Sequence, residues 1–182
     1  MPKSILVAVL LVVAPLASAN EQIMEAFRST IGSWEGELYY LDYQSGQRFG
    51  IPMRAEVEAT PDGATLIRNL TWTDPGNLVY AVVLSTIDRD TGELVEAYFR
   101  NGKAEYLRYD MARANIESAT KWKIEFEQDG TDANRPARIR ITTERDGNRL
   151  TGKKSVRFLD EDSEQFFERN GSDLRLVEVA EQ

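Results

Sequence analysis

The spacing of apolar positions changes once along this chain, near Gly32. From Glu21 to Thr30, Ile23, Met24 and Phe27 recur at helical spacing, Ile31 continues the series, and Gly32 closes it. That pattern predicts a helix over 21–30. Beyond it the period falls to two. Trp122, Ile124 and Phe126 share one face while Lys121, Lys123, Glu125 and Glu127 take the other, which predicts a strand with one wet side. Residues 135–144 alternate likewise, Ile139 and Ile141 against Arg138 and Arg140. Leu78 to Ile87 is a nearly continuous apolar run, and predicts a strand buried on both faces. Further strands are expected at 33–43, 48–60, 64–72, 93–100, 104–110, 149–159, 164–169 and 174–179. Residues 111–118 fit a short helical turn or a loop, and 128–134 read as a polar loop.

Turn signals divide these segments. Thr60-Pro61-Asp62-Gly63 pairs a proline that presets φ with a glycine that accepts a positive one. Asn101-Gly102 is the strongest short hairpin signal in the chain. Asn170-Gly171-Ser172-Asp173 is expected to join the last two strands. With one helix, short connections and no alternation of strand and helix, a parallel sheet is disfavoured. The expected fold is all-β: a single antiparallel up-and-down barrel of about ten strands with a short N-terminal helix, closed so that no strand edge stays exposed.

The first residues change where that domain begins. Lys3 is followed by an apolar stretch from Ile5 to Leu16 and by Ala17-Ser18-Ala19, the layout of a secretory leader with its cleavage site. The apolar run of about 12 residues falls short of the roughly 20 that a membrane span requires. Residues 1–19 are therefore expected to be a signal peptide and residues 20–182 the barrel domain of a periplasmic or secreted protein, with no transmembrane segment in the mature chain. No Cys follows the small residues, so a lipid anchor there is excluded.

Composition removes chemistries. The chain has no Cys and no His. Disulfides, thiolate nucleophiles, Ser-His-Asp catalysis and the usual zinc and haem ligands are all out of reach. No metal site and no cofactor are expected. The formal charge of −8 disfavours nucleic acid as a partner.

The entry to the first strand reads Gly32-Ser33-Trp34-Glu35-Gly36 directly after the lone helix. A Gly-x-Trp at that place resembles the calycin superfamily, and the whole pattern looks most like bacterial lipocalin-like and nitrobindin-like barrels. The resemblance implies that Trp34 closes the barrel floor beneath an arginine from a late strand, Arg157 or Arg169 here, in a cation–π contact. Nitrobindin-like barrels hold haem through a His, which this chain lacks.

Two functions are consistent with these residues. One is a binding protein that takes a small hydrophobic or amphipathic molecule into the barrel, with Tyr40, Phe99, Tyr106, Trp122 and Phe126 as candidate lining rings. Tyr39, Tyr43, Tyr98 and Tyr109 belong to the same aromatic groups. The other is an acid–base enzyme, an isomerase, cyclase or hydrolase, built from Asp, Glu, Tyr and Arg. Asp42, Glu96 and Glu105 lie within strands and are its candidate carboxylates. An inward carboxylate beside a Tyr or Arg separates the second function from the first.

Overall fold

A computed structural model describes residues 15–42, 45–74 and 76–177. One helix, α1 (Pro15–Arg28), precedes ten strands: β1 (Gly32–Leu41), β2 (Arg48–Ala59), β3 (Leu66–Asp74), β4 (Asn77–Ile87), β5 (Leu94–Arg100), β6 (Lys103–Ser118), β7 (Lys121–Asp132), β8 (Arg135–Asp146), β9 (Arg149–Phe158) and β10 (Phe167–Leu176). Each strand pairs antiparallel with its neighbours in sequence, and β1 pairs with β10 to close the barrel. The fold is the expected all-β, ten-strand up-and-down barrel.

Alternation places one face of each strand inside. Trp122, Ile124 and Phe126 of β7 are all buried, as their pattern predicts. The hairpin at Asn101-Gly102 has φ of 52° and 70°, the left-handed pair that a two-residue turn between twisted strands requires. Helix α1 lies across the barrel end where β1 begins. It buries Ile23, Met24, Ala26 and Phe27, the last packing at ring distances of 6.0 Å from Trp122 and 6.1 Å from Phe126.

Four local expectations are corrected. Strand β4 is not buried on both faces. Ala81, Val83 and Ile87 point in, whereas Leu78 and Tyr80 are exposed, because a barrel wall has a single dry side. Residues 111–118 continue β6; register shifts after Met111 and Ile116 break the period of two that identifies a strand. Residues 128–132 continue β7, and the reversal is confined to Ala133 and Asn134, with φ of 50° and 62°. Residues 167–176 form one strand rather than two joined by a turn. At Gly171 an added Cβ would lie 2.5 Å from the Tyr39 hydroxyl and 2.4 Å from the Gly152 carbonyl. This glycine therefore marks a close crossing within the sheet and no reversal.

Candidate functional site

The closed end is built around two tryptophans. Trp34 is fully buried, and its Nε1 donates to the Thr30 carbonyl at 2.7 Å. Trp122 Nε1 donates to Ser29 Oγ and to the Ala119 carbonyl, both at 3.2 Å. The arginine over Trp34 is Arg145, its guanidinium carbon 5.4 Å from the ring centre. Arg145 also donates to the Ser29 carbonyl just past the helix and, through Nε at 3.0 Å, to the Gly147 carbonyl. Burial lowers its pKa from the usual arginine value, and the carbonyls it meets offset part of that cost. Arg157 and Arg169 are corrected from this role by topology. β8 ends at the helix-capped rim, whereas β9 ends and β10 begins at the opposite one. Arg157 instead pairs with Glu164 at 3.1 Å, and Arg169 holds Asp132.

Below the cap lies a cavity of about 270 Å³. Its wall is mostly apolar, with Leu38, Met53, Leu70, Leu94, Ile141 and Leu174 among its lining residues and Phe27 and Trp122 beside the cap. Thr30, Thr143, Thr151 and Ser172 interrupt it, as do two charged clusters. Near the cap, Arg68 of β3, Ser85 of β4 and Glu96 of β5 form one cluster. Arg68 Nη2 donates to Ser85 Oγ at 2.8 Å and to Glu96 Oε1, and Ser85 Oγ donates to Glu96 Oε1 at 2.8 Å. Ser85 is buried, and the buried Tyr109 belongs to the same surroundings. Burial, followed by the charges of Glu96 and Glu105, raises the Tyr109 phenol above its ordinary value, so it stays protonated.

Towards the other end, Lys154 of β9 and Asn170 of β10 line the cavity. Lys154 Nζ reaches Asp132 Oδ1 at 3.3 Å, and Arg169 Nε donates to Asp132 Oδ2 at 2.6 Å. Burial alone raises the Asp132 carboxyl, but the hydrogen bonds and charges of Arg169 and Lys154 outweigh it and hold the group below the usual carboxylate range. One pole is thus a balanced Arg–Glu pair, and at the other Lys154 and Arg169 both contact Asp132.

The aromatic candidates separate. Trp122 lines the cavity. Phe126 is fully buried against Phe27 in the packed core beneath the helix. Tyr40 is half-exposed near the far rim. Phe99 and Tyr106 lie on the outer wall as an edge-on pair, ring centres 6.4 Å apart, with Tyr106 74% exposed. Tyr43 falls outside the described residues. Of the candidate carboxylates Glu96 faces inward, Glu105 is exposed, and Asp42 accepts from Ser45 in the β1–β2 connection. Asp160 and Glu161 both pair with Arg135 at 2.7 Å. Arg68, Ser85, Lys154 and Asn170 were not among the candidates. For Arg68 a signal exists: it stands in phase with Leu66, Leu70 and Trp72, a cation on the apolar face of its strand.

No protein-family model matches the chain, and no curated protein matches it. Among solved structures it is similar to Rv2717c from M. tuberculosis, with 11% identity and a TM-score of 0.57 over 85% of this chain and 97% of that one. The likeness assigns the fold alone, a closed antiparallel β-barrel. A protein of unknown function from Nostoc punctiforme superposes over 85% of this chain and 98% of its own, at 8% identity and a TM-score of 0.25, too low to add to that assignment.

Proposed function

We propose that this protein is exported and holds a small, largely hydrophobic molecule inside the barrel. The observation that carries the reading is the cavity of about 270 Å³, apolar over most of its wall with few polar groups, which is the composition of a small-molecule site. Burial of apolar ligand surface contributes roughly 25 cal/mol per Å², and the polar groups fix orientation. Export rests on the leader-like residues 1–19, of which residues 1–14 lie outside the described ones. Every described helix residue that is buried falls at or after Asn20. Cleavage between Ala19 and Asn20 therefore retains each of those buried residues.

The test is native mass spectrometry of protein purified gently from the cell envelope, with N-terminal sequencing of the same sample. A stoichiometric organic molecule and an N-terminal Asn20 are expected. A bare mass, together with failure to take up any of a panel of apolar probes, overturns the binding reading.

A second reading is favoured by one observation: Glu96 is an inward carboxylate beside Arg68 and near the protonated Tyr109. In an acid–base enzyme Glu96 removes a proton from the substrate while Arg68 stabilises the negative charge that develops. Turnover of a bound ligand that is lost in Glu96→Gln, with binding retained, would select this reading.

A further inference from the structure

We infer that the Arg68–Ser85–Glu96 corner seats a neutral group that both donates and accepts hydrogen bonds, a carboxamide above all, and that it rejects a carboxylate. The inference rests on the cavity-binding reading and names the head group of its ligand.

The bonding pattern carries it. Every hydrogen bond within the corner uses Arg68 Nη2, Glu96 Oε1 or both. Among the described residues Arg68 Nη1 and Glu96 Oε2 make none. Neither is among the buried unpartnered atoms, whereas Arg68 Nε is. The corner therefore offers an accessible donor and an accessible acceptor side by side on the cavity wall. A primary amide presents the complement, a carbonyl for Arg68 and an N–H for Glu96. Ser85 adds no selectivity, because its hydroxyl already accepts from Arg68 and donates to Glu96.

Charge excludes the obvious alternative. An arginine in an apolar cavity attracts a carboxylate when it stands alone, but the charge of Arg68 is already balanced by Glu96. A ligand carboxylate here would face Glu96 across a few ångströms of apolar surroundings, where like charges repel far more than in water. Two further cations line the cavity: Lys153, which pairs with Glu168 at 3.5 Å, and Lys154 at the opposite pole, which shares Asp132 with Arg169. An anionic ligand thus has a reversed orientation open to it. Any test must close that route.

The probes are decanamide and decanoate, matched in chain length, titrated calorimetrically at about pH 7, where the acid is ionised. They are measured on the wild type, on Lys154→Met, and on Lys154→Met combined with Glu96→Gln, each checked for a wild-type circular dichroism spectrum. In Lys154→Met the amide is expected to bind at least about tenfold tighter than the acid, the size of one hydrogen bond to a charged group. Adding Glu96→Gln leaves Arg68 unbalanced, and the preference is expected to invert. Equal or tighter binding of decanoate while Glu96 is present overturns the inference, as does a preference unmoved by Glu96→Gln; in both cases the cavity-binding reading stands. If no probe enters the wild type, that reading falls and the inference with it. A pH series on Lys154→Gln covers the case of an unfolded Lys154→Met and keeps the reversed orientation closed. At about pH 4 the acid is largely protonated and becomes a donor–acceptor itself, so in that variant its affinity must rise towards that of the amide. A falling affinity overturns the inference.

Discussion

The two ends of this barrel solve opposite problems. At the capped end α1 seals the opening, and the polar groups that seat it are partnered: both indoles donate to the helix end or the adjacent turn, and Arg145 covers the Ser29 carbonyl. At the far end no helix among the described residues covers the mouth. Large apolar side chains near that rim stand in solvent, among them Phe49 at 58% exposure and Tyr80 at 63%. The cavity lies between, and its polar corner is only partly satisfied within the protein. The difference teaches where stability and, on the proposed reading, binding reside: fully satisfied groups hold the fold, and partly satisfied ones remain open to a partner.

Substitutions can break that contrast. The largest loss is expected from Trp34→Ala, which empties a fully buried site beneath the helix and should cost about 3–5 kcal/mol in chemical denaturation. Arg145→Met follows. It leaves the Ser29 carbonyl buried without its donor, at a cost of about 1–3 kcal/mol read from the same curves; a neutral result would show that the cap does not depend on this bond. Asp132→Asn sharpens the picture through pH. The native Asp132 carboxyl titrates below its ordinary value of 3.8. Its contribution is therefore full above that value and is lost as pH falls through the lower native one. The wild type should lose melting temperature on acidification below about pH 4, and the variant should lose less. Smallest of all, Tyr106→Ser on the outer wall should shift stability by no more than about 0.5 kcal/mol and leave ligand uptake unchanged, since the ring lies outside the cavity.

The fold was more legible than the site, for a physical reason. Period-two alternation and turn residues are local signals, and they mark strands wherever the ladder is regular. They fail at the irregularities of β6, where bulges add residues, and at Gly171, where a glycine serves a close crossing between strands. The site is assembled from β3, β4, β5, β9 and β10, so its residues converge only after closure. Glu96 was a candidate because it lies in a strand. Ser85 sits unmarked in an apolar run, and only Arg68 shows a charge in the apolar phase. Aromatic density misled at Phe99 and Tyr106, which stack on each other across the outer face of β5 and β6. The arginine above Trp34 was misplaced because resemblance gives a residue type from a late strand, whereas strand direction decides which rim it reaches.

The pairing of β1 with β10 sets an order of events. Nine of the ten strand pairings join neighbours in the chain and can form as hairpins while it emerges. The seam between Trp34 and Leu176 must wait for the final strand. Until then the interior is one face of an open, curling sheet, with Gly152, Asn170 and Leu174 of the cavity wall not yet opposite Leu38. The cavity is thus the last thing the polypeptide makes. Under the proposed export of an unfolded chain, the cavity closes only after translocation, so the proposed ligand would be gathered on that side of the membrane.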